Sequence, residues 1–173
     1  MQEEVLLGGQ IYPGNTVSSS DFDPTIIDLH GLRAPLNLWR KESSQLAGPY
    51  WNDVNLLDLP DDLRGGTMVA DYQADSGDFY IRYWGSDLVT AFGVELSQKR
   101  LSDANHRGVM DSFVKTAAEI IDRAEPQFMI HEITSARGVR RQFPVLRMPI
   151  FNSGGVPDKV MTVENIRLCI SQL

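Results

Sequence analysis

Hydrophobic residues along this chain switch between period two and helical spacing. In Asp78–Trp84, Phe79, Ile81 and Tyr83 alternate with Tyr80, Arg82 and Trp84, the pattern of a half-buried strand. Gly85 ends that strand and Ser86 is placed to cap a short helix. Leu88, Val89, Ala91 and Phe92 then recur at helical spacing until Gly93, a residue suited to a helix stop. Upstream, Thr67–Gln73 predicts a partner strand, joined through the hairpin turn Asp75-Ser76-Gly77. Downstream, Met110, Phe113, Val114, Ala117, Ile121 and Ala124 mark one face of the longest helix, over residues 108–124. Asn105 reads as its N-cap and Pro126 closes it. Three strands complete the chain, over residues 127–134, 142–151 and 159–170. The middle one holds Pro144 and Pro149, which suit an edge or a bulge and are awkward in an inner strand.

Ahead of this block, residues 32–46 predict a helix. Leu32, Leu36, Trp39 and Leu46 share a stripe, Pro35 sits in the first turn, and Gly48 and Pro49 end it. Residues 58–64 are a polar link. Residues 1–31 hold Gly8, Gly9, Pro13, Gly14 and a run of serines, and bury too little to offset their ordering entropy. They are expected to form a flexible N-terminal arm ahead of a domain over residues 32–173. The competing reading docks Val5, Leu6, Leu7 and Ile11 on that domain or on a partner.

Composition narrows the function. A chain of 173 residues is one domain with appendages, and its formal charge of −7 opposes nucleic-acid phosphates. The single cysteine, Cys169, cannot form an internal disulfide, which suits a reducing compartment. The sequence has neither a signal-peptide core nor an apolar run of membrane-spanning length. The expectation is a soluble cytoplasmic protein that binds neither nucleic acid nor membrane.

The motif residues Asp78, Phe79, Arg82, Gly85 and Ser86, followed by Phe92, Gly93, Glu95, Leu96, Ser97, Leu101, Ser102 and Asp103, resemble the centre of the PAS family common in alphaproteobacteria. The resemblance extends to Leu38 and Trp39 in the leading helix, to Pro49, Trp51, Asp53, Val54 and Asn55 after it, and to Pro149, Ile150, Gly154 and Gly155. Ile81 stands where that family often has an aromatic, and Gln98 where it usually has glycine, which bears on a tight turn. The resemblance implies an α+β PAS fold: a five-stranded antiparallel sheet with helices on one face and an additional N-terminal helix. It also implies a stand-alone sensory or adaptor module without an output domain. Such a module acts on other signalling proteins and is gated by a small molecule in its cavity.

Candidate residues derive from that fold. Ile81, Tyr83, Phe92, Leu101, His106, Phe113, His131 and Phe143 are the expected lining of a ligand cavity. Leu36, Leu38 and Trp39 are candidates for a homodimer seam, because Leu38 and Trp39 point about a hundred degrees apart on a helix and one of them is left for a neighbour. Trp39 packing its own helix onto the sheet is the plainer alternative. No cysteine lies in residues 97–106, where flavin- or chromophore-attaching PAS domains need one. The ligand is therefore unknown, and haem through His106 is weighed against a capping histidine. His30, His106 and His131 show no metal-ligand spacing, so no metal site is expected. Catalytic residues are not expected either, since neither a nucleophile elbow nor a phosphate loop occurs. Arg137, Arg140, Arg141 and Arg147 gather positive charge, read as a solvated hairpin or as a site for an anion or an acidic partner. The rival function is a small α+β enzyme. It would hold a carboxylate beside a histidine in a water-accessible cavity, where an adaptor would have an apolar or filled one.

Overall fold

The computed structural model describes residues 11–13, 17–18, 31–43, 47–104, 107–134 and 140–168. Its strands are β1 (Ile11–Pro13), β2 (Val17–Ser18), β3 (Thr67–Gln73), β4 (Asp78–Trp84), β5 (Gln127–Thr134), β6 (Arg140–Phe151) and β7 (Pro157–Glu164). Its helices are α1 (Arg33–Glu42), α2 (Asp61–Arg64), α3 (Ser86–Phe92) and α4 (Arg107–Arg123), with short 3-10 turns at Trp51–Asp53, Leu56–Asp58 and Leu101–Asp103. Strands β3 to β7 form a five-stranded antiparallel sheet in the order β5-β6-β7-β3-β4. Two strands, short helices, one long helix and three strands make this an α+β domain with the PAS fold.

Two short segments of the region read as an arm extend the sheet. Ile11–Pro13 pairs with His131 to Ile133, and Val17–Ser18 pairs with Gln127 and Phe128, both on the outer side of β5. At the opposite edge, Ile81 exchanges hydrogen bonds with the turn after α3: its N–H reaches the Lys99 carbonyl at 2.9 Å and its carbonyl accepts from Gln98 at 2.7 Å.

Apolar side chains fill both faces of the sheet. Phe79, Ile81, Leu88, Leu101, Phe113 and Ile120 belong to the cluster between the sheet and the α3–α4 side. Leu32, Leu36, Val69, Leu146, Met148 and Met161 form the other, under α1. The polar link contains a 3-10 turn and α2, whose Leu63 is buried in this second cluster.

The alternation expected in β4 breaks at one point. Val69 pairs with Tyr83 but the next residue, Ala70, pairs with Ile81, so Arg82 is an extra residue in a β-bulge. The bulge turns Tyr83 onto the α1 face, where its hydroxyl donates to the Arg64 carbonyl at 3.2 Å, and brings Trp84 under the helices. Simple alternation placed Tyr83 with Ile81, and the extra residue reverses that.

β6 is an inner strand and not an edge, while its register with β7 shifts between Ile150 and Phe151, beside Pro149. Backbone N–H and C=O of one residue point to the same side of a strand, so the missing donors can be located. The Pro144 carbonyl accepts from Asn165 at 2.9 Å, just past the last ladder pair with β7, which is Val145 with Glu164. Pro149 faces the β5 side, beyond the pair Gln127–Arg147 where that ladder begins, and its carbonyl accepts from Trp39 Nε1 at 2.7 Å. Each proline lies where no neighbouring strand requires its N–H.

Gly93 caps α3 with φ of 68°, as its sequence position suggests. Gln98 also adopts a left-handed φ, 60°, at the position where the resembled motif carries glycine. A side chain there costs about 1–2 kcal/mol, and glycine recovers it minus its own chain entropy. Gln98→Gly is thus expected to raise the unfolding free energy by roughly 1 kcal/mol, read as a shift in the denaturant midpoint at constant slope.

Candidate functional site

The side chains of β5, β6 and β7 that face α4 are not all apolar. Alternation along β6 puts Phe143, Val145 and Arg147 on that face, and in β7 it puts Val160, Thr162 and Glu164 there. In β5 the same face carries Gln127, Met129 and His131. Cross-strand register then sets Gln127 opposite Arg147, and Arg147 opposite Thr162. A polar row therefore crosses the middle of the sheet directly beneath the long helix.

Arg147 is 0 % exposed. Its Nε donates to Thr162 Oγ1 at 3.1 Å, its Nη1 donates to Thr116 Oγ1 on α4, and its guanidinium carbon sits 4.6 Å from the Phe113 ring centre. Among the described residues no carboxylate lies within ion-pair distance of it, and Nη2 has no hydrogen-bond partner. Taking a guanidinium out of water costs several kcal/mol, and a cation–π contact with two hydroxyls returns only part of that.

Its neighbours are in a similar condition. Gln127 is buried with both amide atoms, Nε2 and Oε1, unpartnered among the described residues. His131 Nδ1 stands 3.8 Å from Glu164 Oε1, and both side chains are 5 % exposed. The other ring nitrogen, Nε2, lies 3.2 Å from Met129 Sδ, while Phe143 packs edge-on against the imidazole. A thioether sulfur can only accept, which assigns the proton to Nε2 and leaves Nδ1 as an acceptor. Glu164 Oε2 has no hydrogen-bond partner among the described residues.

Charge states reflect burial. Desolvation holds His131 well below the usual imidazole range, and the positive charge of Arg147 adds to that. Desolvation pushes Glu164 up to about 7, against the opposing pull of Arg147. Arg147 is lowered by burial to about 10, opposed by Glu164 and Glu119. At neutral pH the cluster thus contains a charged guanidinium, a neutral imidazole and a carboxyl group near its midpoint.

Most of the expected cavity residues converge on this side. Ile81, Phe92, Leu101, Phe113 and Phe143 lie in the apolar cluster that surrounds the polar row, and His131 lies within the row. Tyr83 is on the opposite face because of the bulge. His106 falls outside the described residues. Arg147 is the clearest departure from the sequence reading, because it belongs to no solvated hairpin. Gln127, Thr116, Thr162 and Glu164 were not singled out at all. Parity held the signal: Arg147 is two and four residues past Val145 and Phe143, and Glu164 is four past Val160.

Two of the three residues considered for a dimer seam are buried within the single chain. Leu36 is 4 % and Leu38 9 % exposed, and Trp39 is half-buried and hydrogen-bonded to Pro149. The outward apolar group on which a two-fold contact was argued is therefore not present at Leu38. Leu36 and Trp39 instead border a groove of about 440 Å³ between α1 and the end of α4, which Arg40, Arg123 and Glu125 also line. Among the described residues no helix is long and apolar enough to cross a membrane.

No protein-family model matches the chain, and no curated protein matches its sequence. Solved structures similar to it include a light-oxygen-voltage domain studied with a flavin analogue, at 12 % identity over 61 % of this chain and 77 % of that one, with a TM-score of 0.42. A variant of the fungal photoreceptor VVD is 13 % identical over 75 % of this chain and 91 % of that one, with a TM-score of 0.43. An RNA-binding light-oxygen-voltage receptor is 13 % identical over 90 % of this chain but only 38 % of its own length, with a TM-score of 0.40. The element order and the strand order β5-β6-β7-β3-β4 carry the assignment by themselves, and this chain is a PAS-fold domain.

Proposed function

We propose that this chain is a sensory PAS module of the alphaproteobacterial type, in which a small molecule binds between the sheet and α4. Binding there changes how α4 seats on the sheet, and a partner protein reads the change. One observation carries the reading: five buried polar atoms on Gln127, His131, Arg147 and Glu164 lack hydrogen-bond partners among the described residues, in an otherwise apolar core. Each such group costs about 1–3 kcal/mol when left unpaired. A ligand that meets several of them recovers that energy in the bound state only, which is the differential interaction a switch requires.

The test is direct. Wild-type protein purified under native conditions and then denatured is expected to release a small molecule in near-stoichiometric amount, identified by mass spectrometry. Arg147→Met protein should release much less. Wild-type protein that releases nothing, and whose melting temperature responds to no small molecule in a broad screen, would overturn the reading.

A second reading draws on the 3.8 Å approach of His131 to Glu164. A carboxylate beside a histidine is the feature expected of a small enzyme with an acid–base couple. Here both side chains are buried, and the imidazole proton is directed at a sulfur rather than at open space. Those two facts favour a binding role. Turnover of any substrate that His131→Gln abolished would reverse the preference.

A further inference from the structure

We infer that the ligand of this site is a small monocarboxylate with an apolar tail, bound through Arg147 and Gln127; this rests on the sensory reading above and specifies its ligand. The guanidinium has two of its three nitrogens committed to Thr162 and Thr116, so the free donor is Nη2. Gln127, the direct cross-strand neighbour of Arg147 on the same face, offers a second free donor in Nε2. Side chains so paired lie within reach of one another. Two adjacent N–H donors suit the two oxygens of one carboxylate, and charge assistance from the guanidinium makes the pair strong.

Charge sets the ligand class. Arg147 has no carboxylate within ion-pair distance among the described residues. A single buried positive charge is neutralised by a single negative one. Phosphate or sulfate dianions would leave a surplus charge in an apolar core beside Glu164, at a large desolvation cost. A neutral amide would satisfy the hydrogen bonds and leave the guanidinium unmatched. The tail is apolar because the cluster around the row consists of Phe79, Phe113, Met129, Phe143 and Val145. Gln127 Oε1, His131 Nδ1 and Glu164 Oε2 are the remaining unpartnered atoms, placed for a hydroxyl on the tail if one is present.

The test uses the full chain and two pairs of probes: butyrate with butyramide, and benzoate with benzamide. Sodium phosphate is the third arm, and sodium chloride holds ionic strength constant. Calorimetric titration is expected to give saturable binding for at least one acid, with its amide at least tenfold weaker and phosphate without effect. The melting temperature should rise in the same order. Arg147→Met should abolish the response. In case that variant fails to fold, Gln127→Leu provides a second readout: it removes two unpaired polar atoms from the core, so it should fold at least as well and bind the acid about tenfold more weakly. Amides that bind as well as acids, or phosphate that binds better, would overturn the anionic assignment and leave the sensory reading standing. If neither acids nor amides bind, the assignment falls. The sensory reading falls with it only if the denatured protein also releases no small molecule.

Discussion

Gly85→Ala is expected to leave a chain that barely folds. A β-carbon built on Gly85 would lie 2.1 Å from the Gly65 carbonyl oxygen and 2.6 Å from its carbon. Those atoms cannot retreat easily. The Gly65 carbonyl accepts the Asp87 N–H at 2.9 Å and the Leu88 N–H at 3.3 Å, while the Gly85 N–H donates to Thr67 at 2.9 Å. The start of β3, the exit from β4 and the first turn of α3 therefore meet at one backbone contact. Separating them by an ångström strains all three, for an expected loss of about 4 kcal/mol or more, the upper end for a single substitution. Gly77→Ala is the control. It has φ of +68° but open space around it, so only the left-handed penalty of about 1–2 kcal/mol applies. Equal denaturant midpoints for the two variants would show that the contact at Gly85 is not tight.

The second large effect is a pH dependence that the unmodified protein conceals. Glu164 is raised from 4.5 to about 7 by burial, so the fold favours its protonated form. The stability this contributes is complete below pH 4.5 and is lost as pH rises through about 7, some 3 kcal/mol in all. His131 is depressed from 6.5, so its contribution is complete above pH 6.5 and is lost as pH falls. Below pH 6.5 the two contributions run in opposite directions as pH changes, Glu164 losing stability and His131 gaining it as pH rises. Arg147, lowered to about 10, stays charged throughout that window.

Each single substitution should expose the other group. Glu164→Gln protein is expected to gain stability as pH rises from 4.5 to 6.5, and His131→Leu protein to lose it over the same interval. The double variant should show neither slope. Urea melts of the four proteins across that range measure this directly. Parallel curves for the two single variants would mean that at least one group is not desolvated as its burial implies.

The fold was largely written in spacing. Period two marked β4, turn residues marked the hairpin that pairs β3 with it, the 3.6 period marked α4 to within a residue at either end, and Gly93 marked the end of α3. What spacing could not carry were features set by three-dimensional neighbours. The bulge at Arg82 depends on how β3 and β4 pair, so Tyr83 was placed on the wrong face. The prolines of β6 suited an edge or a bulge; the strand is internal, but Pro149 lies beyond the β5 ladder and next to the register shift at Ile150/Phe151, and which of the two options holds depends on the neighbouring strands. β7 ends at Glu164, short of residue 170, where the chain turns at residues 165–168.

The site was half legible. Its apolar lining could be read from the pattern, but its chemistry sits on charged and amide side chains that a hydropathy reading assigns to solvent. Arg147 was grouped with Arg137, Arg140 and Arg141 by proximity in sequence, although alternation ties it to Phe143 and Val145. Gln127 opens β5 directly after Pro126, a position that looks like a strand end rather than the middle of a core.

Both outer strands of the sheet have their hydrogen-bonding sides engaged by the chain itself, β5 by Ile11–Pro13 and Val17–Ser18, and β4 at Ile81 by the turn at Gln98 and Lys99. A partner that recognises its target by adding a strand needs an unpaired edge. Against this domain it must first displace the segment already in place. On the β5 side that segment is registered on Gln127 and His131, two members of the buried polar cluster. If a small molecule occupies the interior as proposed, it meets side chains carried by the same backbone that this segment pairs with, and any coupling between strand exchange and ligand affinity would be reciprocal.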